Sequence, residues 1–221
     1  MKMFARTLAL VAMFLLPSAA GADDLHRDDQ SPGDAEQIAR GKASYAMCVG
    51  CHGPEGEGQI GVGPRINSAN YLATASNELL QRTVTEGRVG TNMIAWGPIL
   101  QDSGIADVVA FVRSWQSTPG IELNEAPLTG DIATGDKLYG DICATCHGRN
   151  GAGYSELGSG TGVGRAAFLS QATDGFLRAI IKNGKDNTPM RPFDENSPVA
   201  VANLTDEEID SIIMYLRKSA W

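Results

Sequence analysis

The feature that most constrains this 221-residue chain is a short motif that occurs twice. Cys48-Val49-Gly50-Cys51-His52 returns 95 residues later as Cys143-Ala144-Thr145-Cys146-His147, and a glycine follows each. The two motifs use all four cysteines and two of the three histidines. A shuffled chain of this composition would hold on the order of 10⁻³ such motifs, so a pair is no accident. The repeat extends well beyond them. At an offset of 97, Tyr71-Leu72 lies over Phe168-Leu169, Gly87-Arg88 over Gly184-Lys185, Thr91 over Thr188 and Met93 over Met190. At an offset of 104, residues 100–113 lie over 204–217. The chain is a tandem duplication, and whatever fold it adopts is built twice.

Each copy carries three helical patterns. One leads into the motif, over about 35–46 and 133–142. A middle one holds Leu79, Leu80 and Val84, or Phe176, Leu177 and Ile181, and stops at Gly87 or Gly184. The last starts near Asp102-Ser103 or Thr205-Asp206 and sets Val108, Val109 and Val112, or Ile212, Ile213 and Leu216, on one face. No alternating run is long enough to suggest a sheet, so the expected class is all-α. Pro119, Gly120, Pro127 and Gly130 mark 118–130 as a linker between units 37–117 and 131–221.

Residues 1–22 read as an export signal: Lys2 and Arg6, an apolar run from Leu8 to Leu16, then Ala20-Gly21-Ala22 as the cleavage site. The run is far shorter than the roughly 20 residues that cross a bilayer, which predicts an exported chain with no transmembrane segment after cleavage near Ala22. Residues 23–36 hold six acids against Arg27 and no apolar period, the pattern of a flexible acidic tail. The formal charge of −8 becomes −10 once Lys2 and Arg6 are lost. That balance excludes a nucleic-acid binder and predicts partners with a basic docking face. Asp206, Glu207, Glu208 and Asp210 sit where a helix begins and oppose its dipole, a structural role. Only 6% of the residues are aromatic while 26 are glycine. Such a chain has modest means of filling a core from side chains alone, and another group is expected to supply volume.

The motif names that group. Two thiols at this spacing, with an imidazole directly after them, match addition to the two vinyl groups of one haem while the histidine reaches the iron. Disulfides and zinc use the same residue types. A zinc site usually brings its second pair within about 20 residues, whereas Cys51 and Cys143 are 92 apart. Neither alternative explains the adjacent histidine in both copies. The candidate metal ligands on one side are therefore His52 and His147. For the sixth position the inventory is short: His26 lies in the acidic tail, Met47 abuts Cys48, and Met214 matches Ala110 inside a helix. Met93 and Met190 remain, 41 and 43 residues after their histidines in equivalent polar loops. A thioether opposite imidazole raises the reduction potential.

On these residues each copy resembles a class I cytochrome c domain, and the whole is similar to the tandem dihaem cytochromes of the c4 type. The resemblance implies two class I cytochrome c domains in tandem, each a small helical bundle around one covalent haem c. It implies that the first and last helices cross with Gly41 or Gly135 at the contact, and that Tyr45 or Tyr139 packs near Phe111 or Tyr215. It also implies a backbone carbonyl near a Gly-Pro that orients the proximal histidine, a place that Gly63-Pro64 fits. Thr161 takes the place of that proline in the second copy, which leaves the partner of His147 open and allows the two potentials to differ. Thr91 and Thr188 are the implied propionate-binding residues. Arg88 and Lys185 either neutralise propionates or lie exposed. Trp96 and Phe193 are expected at the haem edge.

Two irons saturated by His and Met have no open position for substrate, which points to a periplasmic electron carrier, or the electron-transfer subunit of a respiratory or dehydrogenase complex, with no catalytic residue. Its partners would be redox proteins or a membrane or periplasmic oxidoreductase complex. The alternative is a haem enzyme, peroxidase-like or thiosulfate dehydrogenase-like, with one catalytic iron; its place would be the second copy, where seven extra residues fall around 192–201. A haem-based sensing module would require exchange of the methionine for a gas ligand.

Overall fold

The structure, a computed structural model, describes residues 30–221. The signal assigned to 1–22, most of the acidic segment and His26 lie outside the described residues. Helices are the only extended regular elements among the described residues, and they come in two matching sets. The first is α1 (Ala35–Tyr45), α2 (Val49–His52), α3 (Ala69–Thr74), α4 (Asn77–Glu86) and α5 (Gly97–Arg113). The second is α6 (Ile132–Leu138), α7 (Ala144–His147), α8 (Ala166–Leu169), α9 (Asp174–Asn183) and α10 (Asp206–Ser219). The three helical patterns of each copy are present, and α2, α3, α7 and α8 are short turns without a periodic signal. Where the sequence suggests an unbroken helix to about 142, α6 instead passes into a π-helical turn, Tyr139–Cys143, which delivers the chain to the motif.

Local chemistry fixes the starts. Asp34, Ser68, Ser76, Asp131 and Thr173 each accept a bond from the amide three residues on. Thr205 and Glu208 form a reciprocal capping box, which accounts for the acids at the head of α10. The helix α5 starts earlier than expected, at Gly97, because a turn precedes a break at Gln101, whose φ of 57° and ψ of 173° interrupt the helix just before Asp102.

In each set the first and last helices cross at a glycine. A β-carbon on Gly41 would run into the Asp107 carbonyl, and one on Gly135 into the Ser211 carbonyl. The aromatic contacts expected beside the crossing are present: Tyr45 lies 5.2 Å from Phe111 and Tyr139 lies 5.3 Å from Tyr215, between ring centroids. An arginine ends each crossing, Arg113 buried and Arg217 half-buried. Arg113 donates to Asn77 Oδ1 at 2.6 Å and to the carbonyls of Leu72 and Ala75, while Arg217 donates to Asp174 Oδ1 and to the carbonyls of Leu169 and Ala172. These bonds clamp α5 to the α3–α4 corner and α10 to the α8–α9 corner.

The segment 118–130 is a strap bonded to both sets. The Ile121 amide reaches the Ala73 carbonyl at 3.0 Å. Arg178 donates to the carbonyls of Asn124 and Ala126 and pairs with Asp210 at 2.6 Å, both side chains being buried. Gln30, assigned by sequence to a flexible tail, is buried: its amide reaches the Ala73 and Ala75 carbonyls and accepts from Gln116.

Two consequences are measurable. Gly135→Ala should destabilise the holoprotein by about 1–3 kcal/mol through overpacking at a backbone contact, read as a lowered denaturant midpoint; an unchanged midpoint would contradict the closeness of the crossing. Burial works against the Asp210 carboxylate, but the bonds from Arg178 and Thr129 outweigh it and hold its pKa below the ordinary value. A depressed folded-state pKa gives stability that is present above about pH 4 and lost as pH falls through the folded value. Asp210→Asn should therefore flatten the acid limb of a stability-against-pH curve, and an unaltered limb would remove Asp210 as its source.

Candidate haem centres and the seam between them

The crossing helices deliver each motif as a single helical turn, and a tyrosine braces it. Tyr45 donates to the Gly53 carbonyl and Tyr139 to the Gly148 carbonyl, both at 2.9 Å. Those glycines directly follow His52 and His147. The sequence indicates the packing of these rings but not this second bond, whose clue is the tyrosine shortly before each first cysteine, three residues ahead of Cys48 and four ahead of Cys143.

Each histidine is held by one carbonyl. His52 Nδ1 lies 2.9 Å from the Pro64 oxygen and His147 Nδ1 lies 2.8 Å from the Thr161 oxygen. A carbonyl only accepts, so Nδ1 carries the proton and Nε2 keeps its lone pair for a metal. Burial lowers the pKa of both imidazoles, which favours this neutral form. The question that Thr161 raised is answered: the bond uses a main-chain oxygen, so proline is dispensable. Gly160 leaves the ring room, since a β-carbon there would lie 2.7 Å from His147 Nδ1.

All four cysteines are unbridged. Burial raises the pKa of Cys48, and of Cys143 to about 12, so before haem attachment these thiols are neutral at ordinary pH. Among the described residues no group of three or more His, Cys, Asp or Glu is placed to hold a metal ion. The donor set suits haem c: paired thiols beside an imidazole with a free Nε2, in a chain short of aromatic core.

The methionine loops are built alike. Gly87 and Gly184 end α4 and α9 with φ of 67° and 65°, and a β-carbon at either would meet the Met93 or Met190 carbonyl at 2.6 Å. Thr91 Oγ1 donates to the Arg88 carbonyl and accepts from the Met93 amide; Thr188 does the same between Lys185 and Met190. In this conformation each hydroxyl proton is spent on its own loop. Met93 and Met190 are both half-buried, and Met190 packs against the core. Met47 is exposed and Met214 lies within α10. Phe193 is buried and Trp96 half-buried beside these loops. The extra residues of the second copy close on themselves, with the Leu204 amide on the Phe193 carbonyl at 2.8 Å and the Val201 amide on the Pro192 carbonyl at 3.1 Å.

The two loops also face the opposite set. Arg88 lies over the Phe168 ring at 5.1 Å, and Lys185 over the Tyr71 ring at 4.2 Å. Both pairs are equivalent under the 97-residue repeat, so the seam has a local two-fold character. Neither base is a free surface charge. Arg88 reaches the Ala167 carbonyl and Gln171, and Lys185 reaches the Arg65 carbonyl at 2.5 Å. Burial, with a smaller push from Arg65, lowers the Lys185 pKa to about 8. One side of the seam carries an added lock. Asp186 accepts from Ser68 Oγ at 2.8 Å and from the amides of Ala69 and Asn70 at 3.0 and 2.8 Å.

Comparison with known proteins agrees with this architecture. Residues 36–112 match the family described as cytochrome c oxidase, cbb3-type, subunit III, and residues 132–220 match the family described as cytochrome c. The chain is 37% identical over 130 residues to the cbb3-type cytochrome c oxidase subunit FixP of Azorhizobium caulinodans, covering 55% of this chain and 42% of that protein. It is 24% identical over 188 residues to cytochrome c4 of Thiocapsa roseopersicina, covering 82% of this chain and 91% of that one. Across three FixP and CcoP relatives the chain spans between 42% and 58% of their length. A chain of the Kuenenia stuttgartiensis reducing HAO-like protein complex shares the fold, with a TM-score of 0.51 at 22% identity over 82% of this chain and 96% of that one. With one cytochrome c domain matched around each Cys-x-x-Cys-His motif, the chain is a tandem dihaem class I cytochrome c, with two covalent haem c groups.

Proposed function

We propose that this protein is a periplasmic single-electron carrier, or the electron-transfer subunit of a larger oxidoreductase complex. In this reading Cys48, Cys51, His52 and Met93 hold the first haem in domain 37–117. Cys143, Cys146, His147 and Met190 hold the second in domain 131–221. The haem, when bound, supplies a one-electron iron couple. The chain's own work is to fix the ligands: the Pro64 and Thr161 carbonyls orient the imidazoles, and Thr91 and Thr188 hold the methionine loops. The observation that carries the reading is the repetition of this whole arrangement in both copies. Two equally furnished sites suit two similar carriers better than one carrier beside one catalytic iron, which would need a site built differently.

Among the described residues no helix is long and apolar enough to cross a membrane. The relatives named as cbb3-type oxidase subunits suggest a membrane oxidoreductase complex as the class of partner. The acidic composition suits a basic face on that partner.

The oxidised holoprotein is expected to show two covalent haems, both low-spin, with methionine-to-iron charge-transfer absorption. A high-spin or bis-histidine iron by EPR would sink the ligand assignment and favour catalysis or ligand sensing. Met190→Ala should leave both haems attached, make the second iron labile and lower its potential while sparing the first; two unchanged potentials would refute the role of Met190. Reduction by the physiological partner should slow as ionic strength rises, because the Debye length shrinks from about 30 Å at 0.01 M to about 10 Å at 0.1 M. A stopped-flow rate independent of salt would remove the basic docking face.

A further inference from the structure

The repeat places Arg165 where the first copy has Ser68, and the exchange leaves a buried charge without an anion. In the first copy Ser68 donates to Asp186 across the seam. The residue matching Asp186 on the other side is Val89, which is 77% exposed. The acid is thus missing on the side that holds the arginine. Arg165 is only 7% exposed. Its Nη2 donates to Ser155 Oγ at 3.1 Å, and its guanidinium stacks on the Trp221 ring at 4.5 Å. Its Nε is the one buried side-chain nitrogen or oxygen among the described residues with no hydrogen-bond partner. No described carboxylate forms an ion pair with it. The nearby Glu156 is already committed to Asn150 and the Ala152 amide.

A buried guanidinium with an unpaired N–H is costly, and a planar anion that takes two parallel bonds is its natural complement. Glycines let the guanidinium lie close against two loops, Gly162 of its own unit and Gly90 of the other. A β-carbon on Gly162 would lie 3.0 Å from the orphaned Nε, and one on Gly90 would run into Nη1. Gly162 directly follows Thr161, whose carbonyl holds His147. The unpaired nitrogen therefore lies beside the loop that orients the second proximal histidine. A haem c brings two carboxylates of its own.

We propose that Arg165 binds a propionate of the second haem, and that this charge pair raises the second potential in a way the first copy, with Ser68, does not share. The proposal rests on the reading of 143–147 as a haem site. A cation fixed beside the macrocycle disfavours the extra positive charge of ferric iron, so its loss favours oxidation.

The test is a redox titration of the holoprotein with its two one-electron components resolved, the second identified as the one that Met190→Ala displaces. Arg165→Gln should shift the oxidised-to-reduced ratio of that component about tenfold towards the oxidised form, a drop of about 59 mV for one electron, and spare the other. Arg165→Lys should keep most of the wild-type value. Trp221→Ala, which removes the stacked ring and not the charge, should lower thermal stability without moving either potential. If Arg165→Gln moves neither component, both equally, or only the first, the proposal is overturned and Arg165 is a structural residue. Should Arg165→Gln not accumulate, resonance Raman of Arg165→Lys serves instead: a shifted propionate bending band from one haem supports the pair, and an unchanged band overturns it. A wild-type second potential that changes between chloride, phosphate and sulfate at fixed ionic strength would mean that a free anion fills the site. A wild-type haem count below two would overturn the underlying reading, and the proposal with it, before any variant is compared.

Discussion

Main-chain contact between helices is the constraint from which the rest of each unit follows. At Gly41 and Gly135 the crossing helices touch backbone to backbone, and any side chain there would force them apart. That closeness brings Tyr45 and Tyr139 against the partner helix, at a depth from which their hydroxyls reach the carbonyl just past the motif. The motif is then a turn pinned at both ends, by the helix or π-helical turn before it and by the tyrosine bond after it. The histidine has little freedom left, and one carbonyl from the following loop completes its orientation. A loss of fit at the glycine would therefore be felt at the imidazole, although no side chain links them directly.

Duplication gave both units the same parts, and the seam reuses them. The bases at the start of each methionine loop, Arg88 and Lys185, cross to the aromatic in the opposite short helix, Phe168 and Tyr71. One loop thus does two jobs: its later residues present a methionine and its early ones join the units. Even where residues diverge the backbone is kept, since Gly90 and Asn187 both adopt left-handed φ, at 78° and 58°. Divergence shows instead in charge. Asp186 locks one side through Ser68 and the amides at the head of α3, while Val89 and Arg165 leave the other side without that acid. The two halves of a symmetric interface have become chemically distinct.

Much of this was legible in the residues. The motif and the three main helices of each copy follow from spacing and from the repeat, while the glycine crossings and the aromatic partners follow from the resemblance to class I cytochrome c domains. What escaped has a common cause: it depends on main-chain oxygens or on contacts between copies. The Thr161 carbonyl is present whatever the side chain, so a missing proline says nothing about it. Arg113 and Arg217 bind carbonyls that no composition rule marks. Gln30 sits in an acidic stretch yet is buried by bonds to Ala73 and Ala75. The strap looked like a spacer by its prolines and glycines, while its amides and carbonyls are tied to Ala73, Asp210 and Arg178. The seam had a trace in the sequence: the cation and aromatic positions that align most clearly in the repeat are the ones that meet across it.

Placement of the bases changes what the net charge means. Arg113, Arg165 and Arg178 are buried, while Arg88 and Lys185 are tucked into the seam. Their charge is directed at carbonyls, rings and internal acids rather than at solvent. The acids that remain outside are correspondingly less compensated, so the exterior is more negative than the formal charge of −8 conveys. The exterior is therefore acidic, while the buried bases point inward to carbonyls, rings and Asp210. One chain thus separates its charges, acids mostly outside and several bases within. The separation arises because arginine can be buried when carbonyl oxygens meet its planar fork, while an unpaired carboxylate would need donors that helix interiors do not spare.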